Sequence, residues 1–463
     1  MNLDLNKINT NIALFFILLF SSITLAVAQD NEDLEKIELR FKFQNEFIEL
    51  FDQKLFVQSL RPAKEIVNLT KEIYGESNYR LITPLNNLGS AYYMIEEYEL
   101  AQQIFAESIE LIEKNQNIIS PELNSPLYGI ALTFNQFGQY EDAINILERS
   151  LRINHVNEGL YNLNQIKIHD SLTESYVGIK DVKNANHHQL FQVFINKKYY
   201  GIDNPLVDES LNKLADWYKR TGQIYSEREI HKELLDRQQK RVEGDITTLV
   251  ETYKNLSFSY RREGLDLFQS TSPLKRALEA IDLMETPNLN LKFEVLLDLG
   301  DTYISYGRAQ SAKKSYAECW ALIDQDKGMR KVIEERFSSP VRVRNVLIPK
   351  TYPLPQIGEE IGETIPSLVS LSYDVNEDGQ TINIQVIESS SEGVIDLAST
   401  RAINRTKYRP KYIDGLPKLS EGLILSHEYN LRLSEIYIDD KKEDESKETT
   451  DESPDAPLEN PIG

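Results

Sequence analysis

A chain of 463 residues, 27% charged and 41% hydrophobic, has room for an extended folded array plus a smaller domain. Its formal net charge of −22 argues against a nucleic-acid backbone or an anionic membrane surface as partner, because both would repel it. The single cysteine, Cys319, excludes an internal disulfide and reads as a small buried residue.

The first 28 residues have the layout of a secretory signal: Lys7, an apolar run from Ile12 to Phe20, and Ala26-Val27-Ala28 as an A-x-A cleavage site before Gln29. The competing reading is an uncleaved anchor. Ile12 to Ala28 is 17 residues diluted by Ser21, Ser22 and Thr24, which is marginal for a span.

From residue 29 to about 325 the chain is predicted to be helical and periodic. Tyr92, Phe134, Tyr176, Tyr218, Tyr260 and Tyr303 follow one another at intervals of 42, 42, 42, 42 and 43. Four residues before each stands Leu88, Ile130, Leu172, Leu214, Leu256 or Leu299, and nine after come Ala101, Ala143, Ala185, Glu227, Gln269 and Ala312. A fixed register over six copies marks a repeat of helical hairpins. The apolar residue and the aromatic form one stripe of a first helix. Gly89, Ala131, Ala215 and Gly300 let a second helix approach closely, and Ala101 with Phe105 is the matching face of that second helix. An earlier copy is expected around Leu50, Ala63 and Val67.

Leu88-Gly89, Tyr92, Ala101 and Phe105, with Leu299-Gly300, Tyr303, Ala312 and Tyr316, resemble the tetratricopeptide repeat, in the longer kinesin-light-chain variety. The resemblance covers about residues 45–325 and implies a solenoid whose first helices line a concave face. Counting outward from the buried positions, that face presents Asn86, Tyr93, Tyr128, Asn135, Asp170, Glu174, Asn212, Asp216, Lys219, Lys254 and Arg261 to a protein partner.

Residues 326–339 read as a linker, and from Ser339 the composition changes to proline-rich and then strand-like. Leu368 to Val375 alternates, Asp378-Gly379 is a hairpin turn, and Ile382, Ile384 and Val386 alternate again. A helix over Ile395–Arg405, burying Leu397, Ala398, Ala402 and Ile403, and a last strand over Leu423–Leu433 complete a strand–strand–helix–strand domain. These pieces resemble the C-terminal domain of TonB over about residues 340–433. The matching words are Tyr373-Asp374-Val375, Asp378-Gly379, Val386-Ile387-Glu388-Ser389, Tyr408-Arg409-Pro410 and Asp414-Gly415-Leu416-Pro417, with Tyr352-Pro353 at the domain's start. The fold class is therefore mainly α, a helical-hairpin solenoid followed by a small α+β domain.

The resemblance implies a sheet edge that captures an extended peptide, and Leu423, Leu425, His427, Tyr429 and Leu431 of the last strand are the candidate edge. It also implies a Gram-negative periplasm and partners among envelope proteins, including peptides of outer-membrane transporters. TonB itself keeps an N-terminal helix with a histidine and a long Pro-rich spacer. No histidine precedes His155 here, and the helical array stands where the spacer would be. The alternatives are a membrane-anchored TonB-like energy transducer and a periplasmic enzyme of unrecognised arrangement.

DVNEDG at 374–379 matches half of a calcium loop, but its twelfth position is Gln385 and it joins strands rather than helices. His187-His188 lacks metal-ligand companions and is expected on an exposed helix face. No glycine-rich phosphate loop, G-x-S-x-G or HExxH occurs, so no cofactor, metal, small-molecule substrate or catalytic residue is expected. Residues 439–463 hold ten Asp or Glu against three Lys, and 434–463 reads as an acidic disordered tail.

Overall fold

The computed structural model describes residues 31–432 apart from 242–244, 265, 353, 355–361, 391–392 and 394. The apolar segment 12–28, Pro353 and the acidic tail lie outside the described residues. The chain divides into two compact units, residues 1–223 and 224–463.

The first unit is a run of helical hairpins. Helices α1 (Asn31–Asp52) and α2 (Phe56–Tyr74) form the first. Helices α3 (Ile82–Met94) and α4 (Tyr98–Asn115), α5 (Asn124–Gln136) and α6 (Tyr140–Glu158), and α7 (Ile166–Gly178) and α8 (Val182–Tyr200) form the next three. Helix α9 (Leu206–Arg220) closes the unit.

Each hairpin turn needs one residue in the left-handed region, and the position recurs with the repeat: Lys54, Glu96, Gly138, Lys180, Gly222, Gly264 and Gly307, with φ between 61° and 73°. Glycine takes that conformation freely, and the three charged residues take it at a cost. Small residues at the helix crossings make room for a ring of the second helix, at Gly89 as expected and also at Gly129, which the periodicity did not single out. A Cβ on Gly89 would lie 2.7 Å from Phe105 Cε1, and one on Gly129 would lie 2.5 Å from Phe105 Cε2. Phe105 is buried between them.

The first repeat follows the same register with different residues. Ser59, fully buried, stands where Ala101 stands one repeat later, and Ala63 takes the place of Phe105.

The second unit continues with α10 (Ile224–Gln239), α11 (Ile246–Glu263), α12 (Leu267–Asp282), α13 (Leu289–Ser305) and α14 (Ala309–Gln325). Helix α11 runs one residue further past its aromatic than the other first helices do. The buried small residue of α12 is accordingly Ser270 and not Gln269, which is exposed. Glu227 occupies the alanine position of α10 and is 1% exposed. Burial of that carboxylate is offset by an ion pair to Arg262 of α11, and next to it Arg228 pairs with Glu263 at 2.7 Å and lies 4.0 Å over the Tyr260 ring.

The segment read as a linker is a helix, α15 (Met329–Phe337). Met329, Ile333 and Phe337 are buried in one core with Ala312, Tyr316, Cys319 and Leu322 of α14. An apolar residue at every fourth position gives the segment one packing face, which a linker would not have.

After it come β1 (Val341–Arg344), β2 (Thr351–Tyr352), β3 (Thr364–Val375), β4 (Thr381–Ser389), helix α16 (Asp396–Arg405), β5 (Lys407–Arg409), β6 (Lys411–Ile413), β7 (Leu416–Lys418) and β8 (Ser420–Arg432). The main sheet has the order β2-β8-β3-β4; β1 pairs with β5, and β6 with β7. Odd-numbered residues of β3 and β8 pack with α16: Val369, Leu371, Tyr429 and Leu431 cluster with Ile395 and Ala398, and Tyr373 and Val375 with Ile403. Leu397, expected inside, is 56% exposed, while Ser399 is fully buried.

The repeat's aromatic marker is less buried than its periodicity suggests. Tyr92, Phe134, Tyr176, Tyr260 and Tyr303 are half-buried and only Tyr218 is buried, whereas Tyr316 on the second helix is fully enclosed. Tyr316→Ala should therefore cost about 4 kcal/mol and Tyr303→Ala clearly less, measured by denaturant unfolding. Equal losses would reject this account of which helix supplies the core.

Candidate interaction surfaces

The first-helix face divides into buried and exposed positions. Asn86 is 7% exposed, and Ser108 Oγ of α4 donates to its Oδ1 at 2.8 Å. Tyr128 and Asn135 are likewise buried. Ser171 Oγ donates to Tyr128 Oη at 3.3 Å, and Ser175 Oγ donates to Asn135 Oδ1 at 2.8 Å, so α5 and α7 are joined by polar pairs. These three side chains have little surface to offer a partner, a correction to the sequence reading. They bond to the neighbouring helix because a polar group removed from water needs a partner.

Tyr93 and Glu174 are half-buried; Gln136 Nε2 donates to Tyr93 Oη at 3.3 Å. Asp170 pairs with Lys213 of α9 at 2.6 Å and accepts from Gln192 at 2.8 Å. Asn212, Asp216 and Lys219 are exposed on α9. In the second unit Lys254 lies 3.5 Å from Glu251 and 3.7 Å from Asp298, and Arg261 lies over the Phe258 ring at 5.1 Å. Burial pushes the Tyr128 hydroxyl up to about 12 and the Lys167 ammonium, 5.1 Å from the Tyr128 ring, down to about 6. Burial, and then the charge of Asp170, raises the Glu174 carboxyl.

His187 is exposed, but His188 is half-buried and hydrogen-bonded through Nδ1 to His169 Nδ1 at 2.8 Å. Among the described residues no group of three or more His, Cys, Asp or Glu is arranged to hold a metal.

In the sheet, β8 pairs with β3 in constant register from Thr364↔Arg432 to Tyr373↔Leu423. Asn430 N donates to Lys350 O on the far side of β8, so Asn430 does not exchange bonds with its β3 partner Pro366. That position tolerates a proline because no amide is needed there. By alternation the amides of Glu428, Ser426 and Ile424 also point away from β3. Strand β8 is not the outermost strand expected from the sequence, because β2 pairs with one end of its outer side. Thr351 and Tyr352 pair in parallel with Asn430 and Leu431, and His427 Nε2 is 2.9 Å from Pro349 O. Leu423, Leu425 and His427 are half-buried, and Tyr429 and Leu431 are buried toward α16. The edge offers its main chain, and its outward side chains are Ile424, Ser426 and Glu428.

The sequence reading missed the joint between the sheet and the last hairpin. Arg409 Nη1 lies 3.4 Å from both carboxylate oxygens of Asp301 on α13, and Tyr316 Oη donates to Asp301 Oδ1 at 2.8 Å. The Arg409 guanidinium lies 5.5 Å from the Phe337 ring centroid, and the Tyr412 ring packs edge-on against Phe337 at 5.0 Å and Tyr316 at 5.5 Å. The DVNEDG turn belongs to the same joint. Asn376 Oδ1 accepts from the amides of Asp378 and Gln380, Asp378 pairs with Lys313 of α14 at 2.6 Å, and Tyr408 N donates to Gly379 O at 2.9 Å. Cys319, fully buried in this core, has its thiol pushed up by burial.

Residues 364–431 match the family model described as Gram-negative bacterial TonB protein C-terminal. No curated protein matches the chain in sequence. Among solved structures the chain is similar to BtubC (BKLC) from P. vanneervenii, at 17% identity over 50% of this chain and 94% of that one, with TM-score 0.37. It is also similar to a putative kinesin light chain with nearly identical TPR-like repeats from Podosopora anserina, at 16% identity over 46% and 98%, with TM-score 0.37. A third is the C-terminal part of a TPR repeat-containing protein from Cytophaga hutchinsonii, at 11% identity over 62% and 98%, with TM-score 0.40. Residues 364–431 are thus similar to the C-terminal domain of Gram-negative bacterial TonB proteins, and they follow a run of helical hairpins.

Two outcomes follow from these geometries. Asp301 and Arg409 are 13% and 6% exposed, so removing either strands a charge in the interior. Arg409→Met should cost about 3 kcal/mol in urea unfolding, and adding Asp301→Leu should recover much of it. The imidazoles of His169 and His188 are lowered by burial to about 3 and about 4 from 6.5. Below pH 6.5 the unfolded chain takes up protons that the folded chain refuses, so stability falls as pH drops toward 4. His169→Gln should flatten that slope between pH 6.5 and 4, measured as urea midpoints; an unchanged slope would assign the acid sensitivity elsewhere.

Proposed function

We propose that this chain is an exported periplasmic adaptor, in which the helical array holds one envelope protein and the sheet edge of β8 captures an extended peptide, such as one from an outer-membrane transporter. Two interaction folds and no recognised catalytic motif support a binding role. The observation that carries the peptide reading is the row of outward main-chain amides at Ile424, Ser426 and Glu428 beside a strand in regular register. Strand addition draws its affinity from such groups. The docking of the domain on α13–α15 speaks against the transducer alternative, since a domain fixed by a buried ion pair lacks the free spacer that such a role uses. Export rests on Ala26-Val27-Ala28 and the preceding apolar run.

The decisive variant is Ser426→Pro, which removes an outward amide and leaves the β3 ladder intact. Titration of periplasm-exposed transporter peptides into the chain from residue 29 onward should give binding that Ser426→Pro weakens at least tenfold at unchanged melting temperature. Equal affinity would reject strand addition. N-terminal sequencing of the native protein tests export: a retained Met1 would refute cleavage.

A further inference from the structure

In the repeat register, Leu190 and Phe194 of α8 stand where α2 has Lys64 and Asn68, α4 has Ala106 and Glu110, and α6 has Glu148 and Arg152. All these positions are exposed, so the outer face of the second helices is wet, and only on α8 do both places carry large apolar side chains. Leu190 is 47% exposed and Phe194 39%. Rings extend the patch in both directions. Phe191 lies 5.8 Å from Phe194, and the exposed His187 stacks on Phe191 at 6.2 Å. Tyr161, from the loop before α7 and 44% exposed, meets Phe194 edge-on at 5.3 Å. Lys198 Nζ lies 5.4 Å over the Phe194 ring. The charge of the helix is as unusual as its apolar face. Helices α4 and α6 carry four carboxylates each, whereas α8 has none and carries Lys183, Lys197 and Lys198. The carboxylates nearest in sequence, Asp181 and Glu158, accept from Asn184 and Asn164. A basic helix with an exposed apolar face, in a chain of net charge −22, marks an interaction surface.

We propose that the outer face of α8 binds an acidic amphipathic helix of a partner protein, whose apolar ridge packs on Leu190, Phe194 and Tyr161 and whose flanking carboxylates meet Lys198 at one end and Lys183 at the other. A helix is favoured over an extended strand because residues 187, 190, 194 and 198 follow at intervals of three and four, the ridge that the groove of another helix accepts. The two lysines stand about 22 Å apart along the axis, the length of about four helical turns. Charge decides against a second copy of this chain: two α8 helices packed antiparallel set Lys183 of one against Lys198 of the other. This surface is separate from the first-helix face and from β8, and it does not depend on what either of those binds.

The probe is a displayed library of helical peptides of about 18 residues with a fixed leucine stripe and randomised flanks. It is selected on the chain from residue 29 onward and counter-selected on the Leu190→Glu chain. The peptides that survive both steps should have flanks rich in Asp and Glu. In titrations Phe194→Glu should weaken a selected peptide about tenfold or more at unchanged melting temperature. Lys198→Glu should weaken it by a smaller factor, and a Glu→Lys change at one flank position of the peptide should restore the loss. Flanks without an acidic excess, binding by Phe194→Glu within about twofold of the parent, or no peptide surviving the counter-selection would each overturn the proposal. Two further results would overturn it by giving the face to another occupant. A dimer in sedimentation that Leu190→Glu dissociates would assign it to a second copy, and displacement of the selected peptide by an equal concentration of synthetic peptide 439–463 would assign it to the chain's own acidic tail.

Discussion

A carboxylate and a guanidinium, both almost out of water, hold the sheet domain to the last helical hairpin. Withdrawing two charges from solvent is costly, and the site offsets that cost with further contacts. Tyr316 donates a hydroxyl to Asp301, and Phe337 gives Arg409 a ring to lie on. The aromatic residues that complete this shell come from three separate elements: Tyr316 from α14, Phe337 from α15 and Tyr412 from β6. Helix α15 therefore cannot act as a spacer without dismantling the core of the last repeat. A solenoid also needs its terminal apolar surface covered. Here α15 and the β6–β7 hairpin do that, so one set of contacts both finishes the array and positions the sheet.

The array itself departs from an apolar template at recurrent places. Glu227 stands in an alanine position and is kept buried by Arg262, and Arg228 with Glu263 and Tyr260 continues the polar layer between α10 and α11. On the first helices Asn86, Tyr128 and Asn135 each bond a serine of a neighbouring helix. A core joined by directional bonds tolerates less sliding between helices than one joined by aliphatic contact.

The repeat was legible because a stacked hairpin needs a small residue and a ring at fixed spacing, and Gly89, Phe105, Gly300 and Tyr316 supply them. The turns were only half legible. Gly138, Gly222 and Gly307 mark the left-handed position, but Lys54, Glu96 and Lys180 adopt it with no local signal, because the helices on either side impose it. Burial along the first helices was misjudged for a related reason. Periodicity places a polar residue on a face, but whether that face is wet depends on the next helix, and Ser171 and Ser175 draw Tyr128 and Asn135 inward. The joint at Asp301 and Arg409 spans 108 residues of sequence, and no pattern within either domain announces it.

The two strands that flank β3 in the main sheet differ in what they offer. Strand β4 meets β3 with register shifts between Ser370 and Leu371 and between Ser372 and Asp374, and it carries Asn383 at φ 52°. Such irregularities re-aim the main-chain groups and blunt an edge against a further strand. Strand β8 keeps its register over ten residues, and its outer side is guarded at one end by Lys350, Thr351 and Tyr352. The guard is short: two paired residues opposite Asn430 and Leu431, and the Pro349 carbonyl that meets His427. The outward main-chain groups of Ile424 and Ser426 lie short of the guard, and pairing that runs on past His427 toward Asn430 requires displacing Pro349 and then Thr351–Tyr352. The edge is accordingly graded: pairing at Ile424 and Ser426 breaks neither the His427 contact nor the β2 pairing, and pairing toward Asn430 exchanges those internal bonds for external ones.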